Sequence, residues 1–171
     1  MSDYQQQIQD DRGPLKNLLS KVPGFKGYLE KEDRRTADKL MREEIGDRYV
    51  EVLNQLNAVQ TRLVDQGQIE YLDNLESVVT KIQTFIDRIR NAAYGYSSFF
   101  SAVKIDEQTL ERIYEYDKSL LEGAQKMEEL LISLEAAEND PEVESLLEEM
   151  NHQARELINQ VDRRKQVMIS E

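Results

Sequence analysis

A regular stripe of apolar residues between Ile45 and Leu63 constrains the fold of this chain more than any other feature. Successive members of the stripe are four, three, four, three and four positions apart: Ile45, Tyr49, Val52, Leu56, Val59 and Leu63. This spacing is typical of an α-helix with one face lying along another helix. Because no proline occurs between Glu30 and Gln66, the sequence predicts one long helix from about Leu29 to Gln66.

Three more helices with the same apolar spacing are predicted downstream. Gly67 is the best breaker after the first helix, Asp106 is a predicted N-cap for the third, and Asp140 and Pro141 suit the cap and first position of the fourth. The predicted ranges are Gln68–Tyr94, Glu107–Glu138 and Pro141–Met168. The stripe predicted for the second helix is Ile69, Leu72, Leu75, Val79, Ile82, Ile86, Ile89 and Ala93.

The composition agrees with a helical fold. The chain has 171 residues, enough for one domain with a real core. It is 33% charged and 39% hydrophobic, with three prolines, a balance that favours long exposed helices. Two of the three connections are short, which favours antiparallel neighbours. We therefore predict an all-α protein, an up-down-up-down antiparallel four-helix bundle or coiled coil over residues 29–171. The sequence leaves open whether the bundle closes within one chain or in a homo-oligomer.

Residues 1–28 form a predicted N-terminal arm. Pro14–Val22 has its apolar residues on one face with lysines beside them, so it is predicted to form a short amphipathic helix. This helix could contact a membrane surface or fold back on the bundle.

Several classes of protein are disfavoured. The chain has no cysteine, which excludes disulfides and thiolate metal sites. Its apolar runs are far shorter than the roughly 20 residues needed to span a bilayer, and the polar segment Met1–Asp11 does not resemble a signal peptide. We therefore expect a cytoplasmic protein. The net charge of −12 argues against a nucleic-acid partner.

The charge is unevenly distributed along the predicted bundle. Residues 55–79 hold one basic and four acidic residues, and residues 125–155 hold two basic and nine acidic residues. These segments meet at one end and carry −10 of the total charge. The opposite end collects aromatic and basic residues that form a predicted partner-binding surface: Phe25, Tyr28, Arg34, Arg35, Tyr94, Tyr96, Phe99 and Phe100. The aromatic residues could instead close the core, and the arginines could belong to a solvated helix face.

Residues 13–42 and 80–96 contain a series of short sequence motifs. Its segments are Gly13-Pro14-Leu15-Lys16, Pro23-Gly24-Phe25-Lys26-Gly27-Tyr28, Lys31-Glu32-Asp33-Arg34-Arg35, Ala37-Asp38-Lys39-Leu40, Arg42, Thr80–Arg90 and Ala92–Tyr96. With these motifs the first two-thirds of the chain resembles a family of small, largely uncharacterised bacterial coiled-coil proteins. The resemblance implies a helical fold and carries over no activity or cofactor.

Asp117 occupies a position of the third helix where the stripe requires an apolar residue. Burying a carboxylate is costly unless it is paired, so we predict a structural ion pair with Arg88 or Arg90, or a hydrogen bond from a tyrosine. A role in binding a ligand or handling a proton is the alternative. Glu149 and His152 have the Glu-x-x-His spacing of di-iron bundles, but the chain has one histidine, so a histidine at the surface or at the boundary of the core is expected.

No catalytic constellation is evident in the sequence, and no cofactor is predicted. We predict a non-enzymatic adaptor or scaffold that binds an unidentified protein partner. The alternatives are a peripheral membrane protein with weak surface contact, and a carboxylate bundle that binds a metal or small ligand.

Overall fold

The structure, a computed structural model, describes residues 34–92 and 107–169, except for the side chains of Arg34 and Ile169. These residues form four long helices and no strand, which confirms the all-α prediction. The predicted arm and the Asp106 cap lie outside the described residues. The helices are α1 (Arg34–Asp65), α2 (Leu72–Asn91), α3 (Glu107–Ala136) and α4 (Asp140–Ile169), with a 3-10 turn at Ile69–Tyr71.

The helices are arranged as two hairpins lying side by side. The first hairpin is α1 with α2 and the second is α3 with α4; in addition α1 packs on α3 and α2 packs on α4. The consecutive helices α2 and α3 therefore lie across a diagonal of the bundle. Helix directions alternate along the chain, as predicted, whereas neighbours from different hairpins run parallel.

The parallel pairing is visible in contacts that advance together along both helices. Between α1 and α3, Arg48 pairs with Glu128 at 2.8 Å and Arg62 pairs with Glu135 at 3.4 Å. The same holds between the other two neighbours, where Lys81 bonds to Asn151 and Arg88 pairs with Asp162.

The core follows the bundle axis from end to end. Every member of the α1 stripe is buried, and the stripe extends back to Ala37 and Met41. The stripe predicted for the second helix is wrong at its start, because Ile69 is 68% exposed. The 3-10 turn has about three residues per turn and so rotates the buried face; the most buried side chains of this segment are Tyr71, Leu75, Val78, Ile82, Phe85 and Ile89.

The turn between α1 and α2 is a glycine-dependent helix stop. Gly67 has φ 73°, a left-handed conformation that glycine adopts without steric cost. The amide of Gln68 donates to the carbonyl of Leu63 at 2.9 Å and the amide of Gly67 donates to that of Val64 at 3.0 Å. These are the two bonds of a Schellman motif, and they confirm Gly67 as the breaker.

The turn between α3 and α4 corrects the predicted cap. The side-chain oxygen of Asn139, not that of Asp140, accepts a hydrogen bond from the amide of Glu142 at 3.1 Å. The Glu142 carboxylate in turn accepts a bond from the amide of Glu138 at 3.3 Å. Asparagine caps as well as aspartate does, which leaves the Asp140 carboxylate available for another contact.

The two turns lie together at one end of the bundle. Tyr71, beside the first turn, donates a hydrogen bond to Asp140, beside the second, at 2.7 Å. We call this the turn end; the opposite end, with Arg34, Ala92, Glu107 and Ile169, is the open end. Residues 55–79 and 125–155 form the turn-end half and carry −10 of the net charge.

Candidate functional site: a charge network inside the open end

Asp117 of α3 is fully buried and is paired with Arg164 of α4. The Arg164 guanidinium donates from Nε to one carboxylate oxygen at 2.6 Å and from Nη2 to the other at 3.0 Å. This two-point geometry is the strongest form of an arginine–carboxylate pair. Arg164 has no exposed surface either.

The network continues into the first hairpin through Asp38. One of its carboxylate oxygens accepts from Arg164 Nη2 at 2.6 Å, and the other accepts from Arg42 Nε at 2.8 Å. Arg42 also donates to the carbonyls of Ile89 and Arg90 at 3.4 and 3.1 Å. Those carbonyls belong to the last turn of α2, where a cation is favourable. The charge network, Asp38, Arg42, Asp117 and Arg164, thus contacts all four helices.

The two arginines predicted to pair with Asp117 are wrong. Arg88 and Arg90 are exposed, and each pairs with a different carboxylate on the bundle surface, Asp162 at 2.9 Å and Asp47 at 2.6 Å. A signal for the true partner was present in the sequence. Arg164 lies three positions after Val161 on the apolar stripe of α4, so it occupies a core position, as Asp117 does on α3.

The chemistry of the network suits holding helices together. It contains two arginines and two aspartates, so its formal charges cancel. Arginine stays protonated in proteins, and both aspartates are buried and already accept short bonds from guanidinium groups. Removing one member of such a buried set costs about 3–5 kcal/mol, because the other charges lose their compensation.

A second close contact joins the hairpins near the middle of the bundle. Tyr49 of α1 is fully buried, and its hydroxyl donates to the carbonyl of Leu120 on α3 at 2.8 Å. A methyl group at Gly123 would lie 2.8 Å from this hydroxyl oxygen and 2.9 Å from Leu157. Burial, followed by the nearby Glu128 carboxylate, raises the pKa of Tyr49 well above 10.0.

The hydrogen bond between Tyr71 and Asp140 joins the hairpins at the turn end. That bond, followed by burial, raises the pKa of Tyr71 from 10.0 to about 12. Tyr71 is therefore protonated in the folded protein at neutral pH and serves as a donor between the two turns.

The predicted partner-binding residues fall mostly outside the described residues. This applies to Phe25, Tyr28, Tyr94, Tyr96, Phe99 and Phe100. Arg34 and Arg35 begin α1 at the open end, and Arg35 is exposed.

The histidine of the Glu-x-x-His pair lies at the surface, within the surface-or-boundary range that was predicted for it. His152 is exposed, and Glu149 pairs with Lys126 at 3.2 Å. Within residues 34–92 and 107–169, no group of three or more His, Cys, Asp or Glu side chains is arranged to hold a metal ion.

Two surface clefts lie in the open-end half of the described bundle. One has a volume of about 510 Å³, and the described residues that line it are Lys39, Arg42, Glu43, Asp47 and Arg90. The other, of about 490 Å³, is lined on α3 by Glu111, Arg112, Glu115, Tyr116 and Ser119.

The fold and the charge network define an all-α four-helix bundle with a buried ionic layer. No family model matches the chain, and neither the curated proteins nor the solved structures contain a significant match. The resemblance suggested by the sequence motifs therefore stays a prediction. None of the described helices is both long enough and apolar enough to cross a membrane.

Proposed function

We propose that this protein is a non-enzymatic helical adaptor or scaffold that binds a protein partner at its open end. The observation that supports this most directly is the direction of the helices. The chain enters α1 at Arg34, leaves α2 at Ala92 and enters α3 at Glu107, and these three points lie at the same end of the bundle.

The aromatic residues of the proposed surface are close in sequence to these open-end points. Tyr28 precedes Arg34 by six positions, and Tyr94 follows Ala92 by two. Aromatic and arginine side chains are the residues that most often anchor protein interfaces. The proposal joins these residues to Arg34 and Arg35 as one binding surface.

Charge separates the two ends. The turn-end half carries −10, whereas the described residues of the open-end half balance to zero, with 13 basic and 13 acidic residues. An acidic protein partner would be repelled by the turn end, whereas the open end, with no net charge in its described residues, would not repel it in this way. The proposal includes a cytoplasmic location, which rests on the sequence alone.

A charge-reversal experiment tests the proposal. The variant Arg34→Glu/Arg35→Glu changes the open end, and the control Lys126→Glu/Arg155→Glu makes the same change in net charge in the turn-end half, at exposed positions. Proteins from a lysate of the source cells are captured on each immobilised variant and on the wild type. We expect the first variant to lose partners that the wild type and the control retain. Identical partner lists for all three would overturn the proposal.

A further inference from the structure

We propose that the charge network sets the register between the two hairpins, choosing one alignment among several that the apolar stripes alone would allow. The network would act in this way in the assembly of the bundle, whatever partner the protein binds.

The apolar stripes repeat too regularly to define one alignment by themselves. On α3 the stripe positions follow one another at intervals of three and four: Leu110, Ile113, Asp117, Leu120, Ala124, Met127, Leu131 and Leu134. The α4 stripe has the same period, and so does the α1 stripe from Ile45 to Leu63. Sliding one hairpin along the other by seven residues, about 10 Å at 1.5 Å per residue, again brings apolar residues against apolar residues.

The charge network breaks this repetition. Asp117 and Arg164 both occupy stripe positions, and Arg164 reaches across to Asp38 of the first hairpin at 2.6 Å. After a slip of seven residues Arg164 and Asp38 would lie about 10 Å further apart along the axis. Asp38 would lose its bond from the second hairpin inside the core, so only one alignment keeps the whole network satisfied. A buried polar group that fixes register in this way is known in paired helices.

The close packing of Tyr49 against Gly123 also favours the observed alignment, because only a glycine leaves room for the tyrosine hydroxyl. The decisive part belongs to the network, since a slip would leave charged groups without compensation inside the core. The experiment therefore leaves Tyr49 and Gly123 intact.

The experiment measures the alignment directly. Spin labels are attached at Glu43→Cys on α1 and Ser133→Cys on α3, two exposed positions on neighbouring helices. The chain has no other cysteine. The two positions are separated mainly along the bundle axis. A slip of one hairpin along that axis therefore appears almost fully as a change in the distance between the labels. The network is replaced with apolar residues of similar size: Asp38→Leu, Arg42→Met, Asp117→Leu and Arg164→Met.

We expect one distance population in the labelled wild type and at least two in the apolar variant, separated by up to about 10 Å. The control Arg48→Met/Glu128→Leu removes a half-buried ion pair between the same two helices and should keep the single population. A single, unchanged population in the apolar variant would mean that shape is sufficient, and it would overturn the proposal.

A reduced replacement is available if the fourfold variant does not fold. Asp117→Leu/Arg164→Met removes the pair in the second hairpin and keeps the bond between Arg42 and Asp38. Circular dichroism reports folding, and the same labels report the alignment. A folded double variant with the wild-type distance alone would also overturn the proposal.

Discussion

Replacing Arg164 by methionine should remove a large part of the stability of this bundle. Arg164 has no exposed surface, and its guanidinium is bound to Asp117 and Asp38, whose side chains are 0% and 3% exposed. Methionine fills much of the same space without a charge, so the variant leaves Asp117 without this cation in the core. Loss of one member of a buried ionic set costs about 3–5 kcal/mol.

That loss is large against the roughly 5–15 kcal/mol by which a folded domain of this kind is stable. For a chain of this length each kcal/mol changes the melting temperature by about 2–4 °C, so we expect a decrease of about 6–20 °C. Urea denaturation followed by far-ultraviolet circular dichroism gives the free energy of unfolding, and a thermal scan gives the melting temperature.

The matched control is Arg88→Met. It removes an arginine paired with an aspartate, Asp162, but the two side chains are 45% and 58% exposed, and exposed pairs contribute less than about 1 kcal/mol. If Arg164→Met and Arg88→Met lowered the free energy of unfolding equally, burial would not be what makes the network important, and the reasoning would be refuted.

Three further substitutions should have contrasting effects on stability. Gly123→Ala should lower the free energy of unfolding by about 1–3 kcal/mol, measured by urea denaturation, because its methyl group would meet the buried hydroxyl of Tyr49; an increase would contradict the close packing. Gly46→Ala should leave stability unchanged or raise it by up to about 1 kcal/mol in the same assay, because its methyl group meets the movable, exposed side chain of Arg90 and alanine favours the helix; a loss as large as that at Gly123 would argue against this. Tyr71→Phe should abolish part of the alkaline loss of stability, because Tyr71 ionises near 10.0 when unfolded and at about 12 when folded. The wild type therefore loses this contribution as the pH rises from 10 to 12, and parallel pH-dependent melts that coincide would count against the assignment.

Much of the fold could be predicted from the spacing of apolar residues. The 4-3 stripe of α1 identified a helix and its buried face, because side chains three and four positions apart lie on one side of a helix. Gly67 identified the stop, since glycine readily adopts the left-handed conformation that this turn requires. The prediction failed where two neighbouring residues satisfy the same local rule. Asn139 and Asp140 are both good caps, and in the structure Asn139 caps the helix while Asp140 accepts a bond from Tyr71 of the other hairpin.

The candidate site could be predicted only in part. The polar residue in the α3 stripe predicted that Asp117 needs a partner, because an unpaired buried charge is costly wherever it lies. The partner is 47 positions away, and no periodicity within one helix specifies which helix lies opposite. Arg88 and Arg90 were reasonable choices for an arrangement in which α2 is next to α3.

The sequence by itself determined the helices, most of their buried faces and the two acidic segments, because these depend on residues close together in the chain. Tertiary structure alone decided that α2 and α3 lie on a diagonal and that α4 supplies the arginine that pairs with Asp117. It also decided that this arginine reaches Asp38, 126 positions away. These facts depend on how two regular apolar surfaces align, and regular surfaces align in several ways until a buried charge makes one of them preferable.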